Sequence, residues 1–181
     1  QGVTYGMQVD MPLAHVLTAI DQSLNTEARQ VPVAAVANPM NPAGPMILGS
    51  GSIEREPIGV VAGITGYNFP FLLNLAKIFP ALLAGNTLVL KPSPFTPYSA
   101  LLFGEIADEV GLPKGVLNIV TGGVEVGSLL SSDPRVDMVS FTGSEAVGVS
   151  IMTQAAATLK RVHPELGGKS ALIVRADADI Q

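Results

Sequence analysis

The chain has 181 residues, of which ten are Lys or Arg, fifteen Asp or Glu and two His, for a formal net charge of −5. Charged residues are 14% and hydrophobic residues 48%, against about 25% charged in an ordinary soluble domain. That balance argues against a nucleic-acid partner, which needs a basic face, and against disorder. Without cysteine the chain has no disulfide, no thiolate metal site and no thiol nucleophile, and His15 and His163 are too few for a histidine-rich metal cluster.

Residues 11–25 place Leu13, Val16, Leu17, Ile20 and Leu24 at helical spacing, predicting one amphipathic helix. Residues 31–57 are rich in Pro and Gly. Their first half is expected to be loop, and their second half an extended strand or hairpin. From residue 58 strands and helices alternate. Apolar, β-branched runs predict strands at 58–65, 86–92, 116–120, 136–141 and 171–174. Between them helices are expected at 70–85, kinked at Pro80, at 96–110, at 125–131 and at 144–159. Thr96 is the expected cap of the second of these, with Pro97 in its first position and Gly111 after its end.

The alternation predicts an α/β fold: a Rossmann-like parallel sheet with helices on both faces, plus an N-terminal helix and an extended strand or hairpin segment. Two units are expected, an N-terminal helix and extended segment over 1–57 and the sheet domain over 58–181. The most apolar stretch, 69–90, is broken by Pro70, Asn74, Lys77, Pro80, Gly85 and Asn86, so it is a poor membrane span, and a cytoplasmic location is expected. Low charge predicts a surface covered by another domain or subunit. The start at Gln1 and the close in Asp177-Ala178-Asp179, where an acidic cap opens a helix that does not follow, read as a fragment.

Strand-to-helix junctions of such a sheet gather on one edge, where ligands bind. At Phe141-Thr142-Gly143-Ser144 a strand ends, a glycine turns and Ser144 stands at a helix start. This is a phosphate site or an ordinary capped helix. No G-x-G-x-x-G follows the first strand, so the standard dinucleotide fingerprint is not supported. Lys91, at the end of the second strand, is a ligand for ribose or phosphate oxygens or a solvated lysine. Asn68 is an oxyanion donor or a turn former. Glu165, in Pro164-Glu165-Leu166-Gly167-Gly168-Lys169, is a general base or an ion-pair partner of Lys160, Arg161 or Lys169.

Taken in order, Ile64-Thr65-Gly66-Tyr67-Asn68-Phe69-Pro70, the run from Pro80 through Lys91 to Ser93, Phe141-Thr142-Gly143-Ser144 and Glu165-Leu166-Gly167-Gly168-Lys169-Ser170 closely resemble the aldehyde dehydrogenase superfamily, over about residues 46–180. The resemblance implies oxidation of an aldehyde to an acid with NAD or NADP, in a homo-oligomer that acts on a small aldehyde. It implies that Asn68 is the oxyanion donor, Glu165 the general base, and Lys77 part of a proton path. It further implies that Lys91 contacts the adenosine ribose, that Gly143 and Ser144 hold the pyrophosphate, and that Val147 packs near the cofactor. Ile64, Thr65 and Tyr67 would line the cofactor cleft and Leu166 would lie beside the nicotinamide. No metal is implied.

Four departures stand out. The family's nucleophilic cysteine follows this stretch and is absent here, so the chain alone is expected to be inactive. The later acidic residue that grips the nicotinamide ribose is also missing. Pro94 replaces a glutamate that binds ribose hydroxyls in many members, leaving Lys91 and Ser93 as partners for a 2′-phosphate and the choice between NAD and NADP open. His163-Pro164 replaces the usual pair before the base. The alternatives are a non-catalytic nucleotide-binding or scaffolding fragment, and a CoA-acylating relative.

Overall fold

The computed structural model describes residues 2–179. The chain opens with α1 (Gly2–Tyr5), a π-helical stretch Gly6–Asp10 and α2 (Met11–Leu24). An antiparallel pair follows, β1 (Arg29–Val36) with β2 (Ile47–Ile53). Then come β3 (Val60–Ile64), α3 (Pro70–Leu83), β4 (Thr87–Lys91), α4 (Tyr98–Glu109), β5 (Leu117–Ile119), α5 (Val124–Ser132), β6 (Met138–Gly143), α6 (Glu145–Ala155), a 3-10 turn Ala156–Thr158 and β7 (Arg161–Leu166).

Five strands form one parallel sheet in the order β5-β4-β3-β6-β7. This is the expected Rossmann-like arrangement. The chain winds outward from β3 to β5, then returns to β6 on the other side of β3. Between β3 and β6 the winding reverses, and a crevice opens beyond the carboxyl ends of the strands.

Alternate residues of the strands build two cores. Val61, Leu88 and Leu90 pack with Val16 of α2, Leu75, Ile78 and Ala81 of α3, and Ala100 and Phe103 of α4. On the opposite face Ala62, Ile64, Val139 and Phe141 pack with Ile151 of α6, with Leu130 of α5 against them. Phe71 and Phe103 stack at 5.5 Å and tie α3 to α4. At position 63 a Cβ would come 3.1 Å from Leu90 Cδ1 and 3.3 Å from Lys77 Cβ, so glycine lets α3 lie close to the sheet.

Asn86 links the entry of β3 to the exit of α3. Its Oδ1 accepts from Ile58 N at 2.6 Å and Gly59 N at 2.9 Å, and its Nδ2 donates to the Ala81 carbonyl at 3.1 Å. A second node sits at the end of β3, where the Thr65 hydroxyl donates to Asn74 Oδ1 at 2.9 Å and Asn74 Nδ2 donates to Ser99 Oγ at 3.1 Å. Asn74 is fully buried, and these bonds satisfy an amide that would otherwise be costly there.

Four expectations are corrected. Residues 31–36, expected as loop, belong to β1, whose register shifts between Val31 and Ala34; a bulge accommodates Pro32, which lacks a ladder donor. Residues 171–174 form no strand: Leu172, Ile173 and Val174 are exposed and have no strand beside them to complete a ladder. The fifth parallel strand is instead β7, over residues read only as a chemical motif, with Pro164 on the sheet's edge strand, where proline is tolerated. Thr96 does not cap α4: Pro97 precedes the helix and the Thr96 hydroxyl is buried without a hydrogen bond among the described residues.

Candidate functional site

Gly143 ends β6 at the crevice. A Cβ there would lie 2.4 Å from Phe141 Cζ, so only glycine leaves the Phe141 ring in its core. Ser144 follows as the extended N-cap of α6, and its hydroxyl makes no capping bond. The first-turn N–H groups of α6 are therefore not satisfied by this side chain. The start of α5 differs. Glu125 Oε1 accepts from Gly123 N at 3.0 Å, so that helix carries its own carboxylate.

Lys91, at the end of β4, is 5% exposed, and its ammonium donates to the Pro92 carbonyl at 3.2 Å. Three donors and one partner leave capacity for a ligand. Its stem runs along α5, since a Cβ at Gly127 would touch Lys91 Cδ and Cε at 4.0 Å. Burial lowers the Lys91 pKa, and the Glu125 charge acts in the opposite sense. Ser93 is buried, and its hydroxyl accepts from Phe95 N at 3.3 Å. Ile64 and Thr65 are buried at the crevice floor. Tyr67 is exposed and meets Phe95 edge-on at 6.1 Å. Val147, on the first turns of α6, is half-exposed, as is Leu166, which lies over Gly148.

On the other face of the sheet, between α3 and β7, a groove of about 670 Å³ is lined by Lys77, Thr142, His163, Glu165 and apolar side chains of α3. Glu165 and His163, two apart on β7, share this face. His163 Nε2 lies 3.6 Å from Glu165 Oε1, and both side chains are exposed to the groove's solvent. Lys77 is buried. Burial lowers its pKa and the Glu165 charge opposes the shift. The Thr142 hydroxyl is buried without a hydrogen bond among the described residues.

Asn68 is exposed at the β3–α3 junction, with its carbonyl accepting from Gln8 Nε2 at 3.3 Å. Its Oδ1 and the Thr142 carbonyl both lie 3.5 Å from where a Cβ of Gly66 would be. Asn68 is thus beside the end of β6.

The predicted residues therefore fall in two groups separated by the sheet. Lys77 and Glu165 both line the groove, with Asn68 at the junction between sides. Lys91, Ser93, Gly143, Ser144 and Val147 line the crevice edge toward α5 and α6. A glycine turn at Gly143, an N-cap without a capping bond and a buried lysine with spare donors fit a phosphorylated dinucleotide.

Sequence reasoning missed Glu125 and gave His163 no role. The G-G-x-E pattern at a helix start marks Glu125, and two-residue spacing along an edge strand marks His163 once β7 is seen. Among the described residues no group of three His, Asp or Glu is placed to hold a metal, and no helix is long and apolar enough to cross a membrane.

The Aldehyde dehydrogenase family matches this sequence over residues 26–181. Aminoaldehyde dehydrogenase 1, peroxisomal, of Pisum sativum is 57% identical over 129 residues, 71% of this chain and 26% of that protein. Lactaldehyde dehydrogenase of Escherichia coli (strain K12) is 51% identical over 128 residues, 70% of this chain and 27% of that protein. A solved aldehyde dehydrogenase C mutant of Pseudomonas syringae, in complex with NAD+ and octanal, superposes with a TM-score of 0.77 at 41% identity, over 96% of this chain and 33% of its own. The chain spans about a quarter to a third of the length of these relatives.

Proposed function

The chain belongs to the aldehyde dehydrogenase family, and from that premise we propose that it supplies the dinucleotide-binding part, the oxyanion donor and the general base of an enzyme that oxidises a small aldehyde to a carboxylic acid. The observation that carries the reading is the opening of Glu165 and Lys77 into one groove, at the same sheet edge as Gly143 and Ser144.

In this reading the first-turn N–H groups of α6 hold the pyrophosphate, with Gly143 making the turn into the helix without displacing the Phe141 ring. Lys91 and Ser93 take the adenosine ribose. Ile64, Thr65 and Tyr67 line the cleft, Val147 packs near the cofactor, and Leu166 borders the nicotinamide. NAD or NADP bound there supplies the two-electron acceptor for the oxidation.

The Asn68 carboxamide donates to the carbonyl oxygen as it gains negative charge. Glu165 takes a proton from the water whose oxygen bonds to the acyl carbon, and the acyl group leaves its nucleophile as the acid. Lys77, which lines the same groove as Glu165, stands on the proton's way out. No cysteine is in this sequence, so the thiolate nucleophile comes from outside it, and the 181-residue chain alone does not oxidise aldehydes.

Ser144→Asp tests the binding half. A carboxylate suits an N-cap, so the melting temperature is held or raised. The same charge repels a pyrophosphate at those N–H groups, and calorimetric titration should show NAD affinity falling at least tenfold. Unchanged affinity with an intact fold removes α6 from the site.

A further inference from the structure

Resting on that dinucleotide reading, we propose that Glu125 sets cofactor choice, holding a carboxylate beside Lys91 that accepts from a ribose 2′-hydroxyl and repels a 2′-phosphate. The residue replaces from the neighbouring helix the charge that Pro94 does not provide.

Three observations carry this. Lys91 is 5% exposed and has one hydrogen-bond acceptor among the described residues, the Pro92 carbonyl, so its ammonium keeps donor capacity for a ligand. Its stem runs along Gly127 of α5, which brings the ammonium toward the start of that helix. Glu125 sits in the first turn of α5, held by Gly123 N at 3.0 Å. A Cβ at 123 would lie 2.8 Å from Glu125 Oε2, so the glycine leaves room for the carboxylate to fold back to this position. The two charges interact in both directions: Glu125 raises the Lys91 pKa against burial, and Lys91 adds to the backbone N–H bonds of Glu125 and Gly123 that lower the Glu125 pKa. Glu125 is therefore ionised at neutral pH.

Lys91 alone would welcome a phosphate. The paired carboxylate changes the balance, because a ribose hydroxyl can donate to Glu125 while accepting from Lys91, whereas a phosphate dianion cannot donate to it. Like charges repel, with water screening part of the effect. Pro94 is exposed in the turn after β4 and carries no charge, so Glu125 is the acidic group acting on Lys91.

Glu125→Gln keeps an oxygen that can accept from Gly123 N, so α5 retains its cap. The test measures dissociation constants of NAD and NADP by calorimetry on the native chain and on this variant. It repeats the comparison with adenosine 5′-monophosphate and adenosine 2′,5′-bisphosphate to confine the readout to the ribose end. The expected result is a native preference for NAD, and a shift of the NADP-to-NAD affinity ratio toward NADP of about fivefold in the variant, equivalent to about 1 kcal/mol. If both cofactors bind and the ratio does not move, Glu125 only caps its helix and the inference falls. If neither nucleotide binds the native chain, the dinucleotide reading itself is overturned. Glu125→Ala, checked for an unchanged circular dichroism spectrum, should move the ratio in the same direction; a shift the other way also overturns the proposal.

Discussion

Lys77 is 6% exposed and makes no hydrogen bond or ion pair among the described residues. Burying an ammonium this way costs stability, and the lowered pKa is the record of that cost. The folded state holds the Lys77 proton less tightly than the unfolded chain. The penalty is thus complete below the folded pKa and disappears as pH rises toward the ordinary lysine value. Lys77→Met, similar in length and apolar, should raise the melting temperature at pH 7 by roughly 2–4 °C for each kcal/mol recovered. The gap between variant and native should narrow as pH rises toward the ordinary lysine value of 10.5. Thermal melts across pH check this, and a destabilised variant would mean that the ammonium is satisfied by solvent in the groove. The residue fits a place where function is kept at the expense of stability. As candidate site residues, Lys77, Asn68, Glu165 and the Gly143-Ser144 turn can be picked from the sequence because family motifs point at single positions. Glu125 cannot, because its proposed role depends on Lys91, 34 residues away in sequence and on a different element.

At the scale of elements, the link through Asn86 can be weighed directly. Asn86→Ala removes the acceptor for Ile58 N and Gly59 N and the donor to the Ala81 carbonyl. Each buried group left without a partner costs about 1–3 kcal/mol. The expected fall in melting temperature is roughly 4–10 °C, measured by calorimetry; a change under about 1 °C would show that water replaces the side chain. Four of the five parallel strands and the helices between them were legible from apolar runs and Gly or Pro boundaries, since strands buried on both faces are written as unbroken hydrophobic stretches. The strands that escaped, β1 and β7, both contain a proline and lie on open edges. Pro32 sits at a bulge and Pro164 in an edge strand, so the same residue that is tolerated by the fold disguises the element in the sequence. Residues 171–174 misled for the opposite reason. They have strand composition but no neighbour to pair with, and composition alone does not make a ladder.

The whole molecule shows much apolar surface. Both strands of the β1–β2 pair are exposed along their full lengths, and Val33, Leu48, Leu159, Leu172 and Ile173 are each more than two-thirds exposed. Patches of this kind drive association. The purified chain should therefore self-associate with rising concentration, seen as a growing weight-average mass in light scattering. A constant mass of 18.7 kDa up to high concentration would count against the expectation.

The sheet stands between Lys91 and Lys77, one lysine on the α5 side and the other in the groove beside α3. Under the proposed function it works as a partition wall with a separate entrance on each side. Under that reading a substitution at Lys91 or Glu125 acts on cofactor affinity from one side of the wall, and one at Lys77 or Glu165 acts on the groove from the other.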